Sequence, residues 1–308
     1  MTGINSGASV SIVALALSVI LVVGCGSGGA RSEEAPSTRG IKAPVVAAAG
    51  DITSCASSGD EATAQLLDTI NGTVITLGDN AYEDGSVKDY RECYNPTWGR
   101  FKDRTYPIPG NHEYRTPGAQ GYFGYFKDAA GDPSKGYYSY DLDGWHVVAL
   151  NSTCEDIGGC SATSPQVRWL QTDLDANEGA TCTLAYMHHP RFSSGEVHGS
   201  TTEVRPLWEA LYEAGADVVL SGHEHNYERF APQNPDGKAD PERGIREFVV
   251  GTGGKSHYEI ETILANSEVH DDETYGVLKL TLHPEGYDWR FIPVEGEAFT
   301  DSGSGRCH

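Results

Sequence analysis

Val74-Ile75-Thr76-Leu77-Gly78-Asp79-Asn80-Ala81-Tyr82 holds the pattern on which this chain is built. An apolar run without polar alternation stops at a glycine, and a carboxylate, an amide and a phenol follow within four residues. Apolar runs of this kind are typical of strands buried on both faces. Taken alone, the Gly-Asp ending is an ordinary turn. Outward from this stretch the pattern returns four times. Residues 45–49 run into Gly50-Asp51, and residues 106–108 into Pro109-Gly110-Asn111-His112-Glu113. Residues 183–187 run into His188-His189-Pro190, and residues 218–220 into Ser221-Gly222-His223-Glu224-His225.

Helical spacing fills the gaps between these runs. Ser164-Pro165 begins one helix, because serine is a good N-cap and proline suits the first helical position. Val167, Leu170 and Leu174 then recur on one face. Residues 202–214 read as a second helix, with Val204, Leu207, Trp208 and Leu211 in register, and residues 60–70 as a third. Residues 246–250, 277–282 and 288–293 look like further strands. Strands alternating with helices and then continuing as strands indicate an α/β fold with mixed sheets. No internal repeat and no linker interrupt residues 44–295, which therefore read as one domain. Residues 296–308 read as a polar C-terminal tail that Cys307 ties down.

Among the 308 residues, 38% are hydrophobic and 21% charged, the balance of a folded protein. The formal net charge of -22, from 44 acidic against 22 basic residues, repels nucleic acid backbones and argues against a polymeric nucleic acid partner. Residues 10–23 form an apolar run of about 14 residues, short for a membrane span and suited to a signal peptide. No Lys or Arg precedes it. The run ends in Val22-Val23-Gly24-Cys25, which resembles the lipobox of bacterial lipoproteins, so residues 1–25 read as a signal peptide with Cys25 as the lipidation site. An ordinary secretory signal or an uncleaved anchor is the other reading. Residues 26–43, rich in Gly, Ser, Ala and Pro, read as a flexible tether. The expected location is extracytoplasmic, either anchored through the lipid or secreted. Cys55, Cys93, Cys154, Cys160, Cys182 and Cys307 remain, an even number that favours disulfides in an exported chain. The expected pairs are Cys55–Cys93, Cys154–Cys160 and Cys182–Cys307, out of about 15 possible pairings.

Five polar clusters thus end five strands, and in open α/β sheets ligands bind beyond the carboxyl ends of the strands. Asp, Asn, His and Tyr together offer oxygen and nitrogen donors suited to iron, zinc, manganese or magnesium. A carboxylate able to bridge two ions about 4 Å apart is what a two-metal hydrolase needs. Each cluster alone is common: Asn111-His112 occurs in turns, and a lone His-x-His is often structural. Chance does not readily supply all five in this order.

The series Asp, Gly-Asp-x-x-Tyr, Gly-Asn-His-Glu, His, Gly-His-x-His resembles the calcineurin-like metallophosphoesterases, specifically their purple acid phosphatase branch. Gly222-His223-Glu224-His225-Asn226-Tyr227-Glu228-Arg229 and Gly251-Thr252-Gly253-Gly254 extend the likeness across about residues 44–293. The resemblance implies a four-layer α/β/β/α sandwich of two mixed sheets, with a dinuclear metal site at the strand C-terminal edge. It implies that Asp51, Asp79, Tyr82 and His225 hold a first metal, that Asp79 bridges, and that Asn111, His188 and His223 complete a second. His189 is the alternative register for His188. Thr53 stands where most of the superfamily has His and the purple enzymes usually have Gly. A phenolate donor at Tyr82 favours Fe(III) beside a divalent Zn, Mn or Fe.

The implied reaction is metal-dependent hydrolysis of phosphate esters, an acid-phosphatase type of phosphomonoesterase chemistry in which a metal-bound hydroxide attacks phosphorus. His112 is implied as phosphate contact or proton donor, and His198 as a substrate-binding residue. Phosphodiesters, nucleotides or phytate are alternative substrates for the same centre. A non-catalytic surface lipoprotein that binds metal or phosphate is the alternative outside enzymology. No Gly-x-Ser-x-Gly elbow occurs, since Ser302-Gly303-Ser304-Gly305 has the wrong spacing.

Overall fold

Thirteen strands form two sheets in the computed structural model, which describes residues 43–308. The segments read as signal peptide and tether, with Cys25, lie outside the described residues apart from Ala43. The strands are β1 (Val45–Ala49), β2 (Thr73–Leu77), β3 (Thr105–Ile108), β4 (Tyr138–Leu142), β5 (Trp145–Ala149), β6 (Cys182–Tyr186) and β7 (Val218–Ser221). Then follow β8 (Tyr227–Phe230), β9 (Arg246–Val250), β10 (Ser267–Asp271), β11 (Gly276–His283), β12 (Gly286–Pro293) and β13 (Ser302–Arg306). The helices are α1 (Gly59–Thr69), α2 (Val87–Asp89), α3 (Asn111–Tyr114), α4 (Gln120–Phe126), α5 (Pro165–Ala176) and α6 (Arg205–Glu213).

The first sheet has the order β13-β12-β11-β1-β2-β3 and the second β10-β8-β9-β7-β6-β5-β4. β1, β2 and β3 run parallel, as do β5, β6, β7 and β9. The remaining pairs are antiparallel, so both sheets are mixed. Burial on both faces explains the missing alternation in the sequence. Along β6, Leu184 and Tyr186 join one buried cluster while Ala185 joins another, and Val218, Leu220 and Val219 of β7 divide in the same way. Val167, Leu170 and Leu174 of α5, with Leu207, Trp208 and Leu211 of α6, cover the outer face of the second sheet. Ala64 and Leu67 of α1 join the core of the first. This is the α/β/β/α arrangement expected.

Local chemistry sets the boundaries. The Ser164 hydroxyl accepts the Val167 N–H at 3.3 Å and caps α5. Helix α6 starts at Arg205 and not at Thr202, because Pro206 is tolerated only in a first turn. The stretch read as a polar tail is corrected by β13, which pairs with β12 from Ser302 to Arg306. Polar residues suffice for this strand because it sits at a sheet edge. Disulfides join Cys55 to Cys93, Cys154 to Cys160 and Cys182 to Cys307. Among the described residues no helix is long and apolar enough to cross a membrane.

Candidate metal centre

The topology sends five loops to one edge. Those after β1, β2 and β3 leave the first sheet and those after β6 and β7 leave the second, all from the carboxyl ends of parallel strands. They bring together all seven residues expected as ligands.

Asp79 is the hub. Its Oδ2 lies 3.1 Å from Tyr82 Oη and 3.4 Å from His188 Nε2, while its Oδ1 accepts the His112 N–H at 2.8 Å. On one side, Tyr82 Oη stands 2.8 Å from Asp51 Oδ1 and 3.1 Å from His225 Nε2. On the other, His188 Nε2 stands 3.1 Å from Asn111 Oδ1 and 3.2 Å from His223 Nδ1. The seven side chains thus fall into two groups that meet at Asp79. Among the described residues, the ion-pair partners of Asp51 and Asp79 are imidazoles only. Two buried carboxylates without Lys or Arg, facing imidazoles, an amide and a phenol, fit divalent or trivalent cations. The donor set therefore fits two metal ions.

The backbone is bent to make this possible. Asp51, Asp79 and His223 occupy the left-handed region, with φ of 57°, 48° and 72°. Such conformations carry a cost of order 1–3 kcal/mol each and gather at functional sites. At Gly110 a side chain is excluded, since a Cβ would lie 2.2 Å from Asp79 Oδ1.

Second contacts fix the rings. His188 Nδ1–H donates to the Leu77 carbonyl at 2.8 Å, leaving Nε2 to face Asp79. His225 Nδ1 pairs with Ser256 Oγ at 2.9 Å, and its ring stacks on Tyr258 at 3.9 Å. Burial, with the charges of Asp51 and Asp79, holds the Tyr82 phenol well above 10. Burial lowers the His188 imidazole, but the Asp79 charge outweighs it and the group rises to about 9. The structure also shows a brace that sequence reading passed over. Glu113 accepts the N–H groups of Gly110 (2.7 Å) and Asn80 (2.9 Å) and the Tyr90 hydroxyl (3.0 Å), joining the loops after β2 and β3. Its place three residues after Gly110, at the third position of α3, was the signal that could have found it. Burial, then Asp79, pushes this carboxyl up to about 7.

His112 and His198 flank the donors. His112 donates through Nδ1 to the Glu83 carbonyl at 2.6 Å, and its Nε2 lies 3.8 Å from Asp79 Oδ2. The His198 ring stacks on His223 at 4.0 Å. His189 stands in the same neighbourhood: its ligating atom lies within 4.8 Å of those of His188 and His223, while its Nδ1 pairs with Ser152 Oγ at 2.8 Å. Burial first, then the His188 charge, pulls His189 down to about 3. A cleft of about 480 Å³ opens here, lined by Asn111, His189, His198 and His223 with Ser152 and Glu203. Thr53, the departure from the family pattern, is buried, and among the described residues its hydroxyl has no hydrogen-bond partner.

Comparison with known proteins agrees with this geometry. Residues 44–227 match the family model of the Calcineurin-like phosphoesterases. Purple acid phosphatase 23 of Arabidopsis thaliana is 32% identical over 192 residues, covering 56% of this chain and 40% of the relative. This chain therefore spans less than half the length of that relative. The purple acid phosphatase PPD1 from yellow lupin superposes with a TM-score of 0.69 at 19% identity, over 85% of this chain and 53% of that one. GAP50, the anchor in the inner membrane complex of Plasmodium, superposes at 0.62 with 14% identity, over 86% and 89%. The chain belongs to the calcineurin-like phosphoesterase family, on its purple acid phosphatase-like branch.

Proposed function

We propose that this protein hydrolyses phosphate monoesters at a dinuclear metal centre. Asp51, Asp79, Tyr82 and His225 would hold one ion, and Asn111, His188 and His223 the other, with Asp79 shared. The observation that carries this reading is the position of Asp79 between the two donor groups, 3.1 Å from Tyr82 Oη and 3.4 Å from His188 Nε2. When bound, two such ions neutralise phosphate oxygens and lower the pKa of a water.

The chain's own residues do the rest. His112, its Nδ1 engaged by the Glu83 carbonyl, presents Nε2 toward the cluster, where it can hold a proton for the departing alkoxide. His198, against His223 at the cleft wall, is placed to contact the phosphate. The cleft beside it gives room for a small alcohol. Tyr82 favours Fe(III) at the first position, with Zn, Mn or Fe as divalent partner. GAP50 has the same fold, described as an anchor, so the fold alone does not imply turnover. Two imidazoles beside the donors, beyond what holding metal requires, favour the enzyme over a metal- or phosphate-binding lipoprotein.

The three disulfides suit an oxidising compartment, and we assign the protein to the cell envelope as a lipoprotein anchored through Cys25. Its partners are then small phosphate esters and, through the lipid alone, the membrane. Metal analysis of purified protein and a panel of monoesters, diesters, nucleotides and phytate test the activity. Two metals with monoester turnover is the expected result. Preference for diesters, nucleotides or phytate would reassign the substrate, and loaded protein that cleaves none of them would defeat the enzyme reading. Cys25→Ser should release the protein from membranes, and unchanged association would defeat the lipid anchor.

A further inference from the structure

Three glutamates with fully buried side chains, Glu224, Glu228 and Glu247, all turn toward one loop, residues 190–201 between β6 and α6. Glu247 of β9 accepts the N–H groups of Arg191 at 2.9 Å and Phe192 at 3.1 Å. Glu228 of β8 accepts the Ser194 N–H at 2.8 Å and its hydroxyl at 2.5 Å. Glu224, between His223 and His225, accepts the N–H groups of His198 at 2.6 Å and Gly199 at 2.5 Å. The loop has no helix or strand to satisfy these donors; those of the buried Arg191, Phe192 and Ser194 must find acceptors within the protein, while His198 is exposed and Gly199 half-buried. Burying a carboxylate is costly unless it gains such bonds. Three carboxylates on one irregular loop therefore act as its missing secondary structure.

The last of the three differs from the others. Glu224 uses Oε1 for both bonds, while its Oε2 is buried and has no hydrogen-bond partner among the described residues. A Cβ at Gly195 would meet the Glu224 Cδ at 2.3 Å and Oε2 at 2.4 Å, so the loop closes on the carboxyl with no room for a methyl group. The residue that Glu224 grips, His198, stacks on His223 at 4.0 Å and lines the cleft.

We propose that Glu224 is a positioning residue that holds His198 against His223 before substrate arrives. The role of His198 rests on the phosphoesterase reading; the latch itself does not. Glu224 touches no substrate and acts only through the loop. A carboxylate in the middle of His-x-His thus ties the His198 end of the loop after β6 to the loop after β7.

The test uses the full-length, metal-loaded protein and reads two quantities. The first is amide hydrogen exchange across residues 191–199 without substrate. Glu224→Ala should speed exchange at His198 and Gly199 by about tenfold or more with the core strands unchanged, as expected for local opening. Gly195→Ala, which displaces the carboxyl sterically, should do the same. Glu224→Gln keeps an oxygen for both N–H groups and should restore protection. The second is turnover of p-nitrophenyl phosphate. Glu224→Ala should raise KM more than it lowers kcat, and Glu224→Gln should return KM toward that of the wild type. A cycle with His198→Ala should be non-additive, the double variant being no slower than His198→Ala alone. Unchanged exchange in Glu224→Ala, additive losses in the cycle, or loss of bound metal from Glu224→Ala would each overturn the proposal. Wild type that cleaves no ester would overturn the phosphoesterase reading, and the exchange result would still support or overturn the latch by itself.

Discussion

The phenol oxygen of Tyr82 stands 2.8 Å from Asp51 Oδ1 and 3.1 Å from Asp79 Oδ2, and so joins carboxylates from two different strand ends. Both are acceptors when ionised, and a phenol has one proton to give. A cation in place of that proton would satisfy all three oxygens together. Tyr82→Phe should leave the fold intact, remove any visible phenolate-to-iron absorption and weaken binding of the first metal. Absorption spectra and metal content of the purified variant check this. A colourless, fully active wild type without iron would remove the purple assignment and leave the two-metal reading standing.

Gly110→Ala offers a sharper test of the shared carboxylate. Its Cβ would fall 2.2 Å from Asp79 Oδ1 and 2.5 Å from the Asp79 backbone N, and neither atom can retreat in a buried turn. The protein should fold, lose at least one metal per chain, and show turnover reduced by about 10²-fold or more, the usual effect of a misplaced reacting group. Full metal content with normal kcat would show that Asp79 does not bridge.

His112→Ala should keep both metals while kcat falls by about 10²–10⁴-fold, the contribution of a positioned acid or base. His112→Asn should not recover it, because an amide can mimic the bond to the Glu83 carbonyl but cannot give up a proton. Near-normal kcat in either variant would take His112 out of the proton transfer.

A fourth prediction concerns stability away from the metals. On β5, His146 Nε2 lies 2.8 Å from Asp173 and Nδ1 3.2 Å from Asp141. Burial lowers the imidazole, but its hydrogen bonds to Asp173 and Asp141 outweigh that and hold it above the ordinary 6.5. Asp173 is raised by burial and lowered further by His146 and Ser139, ending below 3.8. The imidazolium's contribution is thus full below pH 6.5 and is lost as pH rises through the raised value. That of the Asp173 carboxylate is full above pH 3.8 and is lost as pH falls through its depressed value. His146→Gln should cost on the order of 1–3 kcal/mol between these limits, typical of hydrogen bonds to charged groups, and progressively less as pH rises above 6.5. Melting temperatures of both proteins across that range measure the difference, and a pH-independent difference would contradict it.

Much of this protein could be read along the chain, for a physical reason. Strands buried on both faces must be apolar throughout, so β1, β2, β6 and β7 announced themselves, and a strand must end where the chain turns. The turn residues at Asp51, Asp79, Asn111, His188 and His223 lie next to those ends in sequence, so the candidate donors were legible too. Other elements carried weaker signals. β5 is wholly buried, but the polar His146 breaks its apolar run, and the polar strands β10 and β13 depend on neighbours for their pairing.

Only the tertiary structure decided which carboxylate serves which loop. Glu224, Glu228 and Glu247 look like ordinary surface charges in the sequence, for nothing local shows that their partners are backbone amides tens of residues away. Left-handed turns at Asp51, Asp79 and His223 were equally silent, because the chain adopts them only when two packed sheets hold both of its ends. The chain's local chemistry determined what could bind at this edge. Long-range packing alone determined where each donor points.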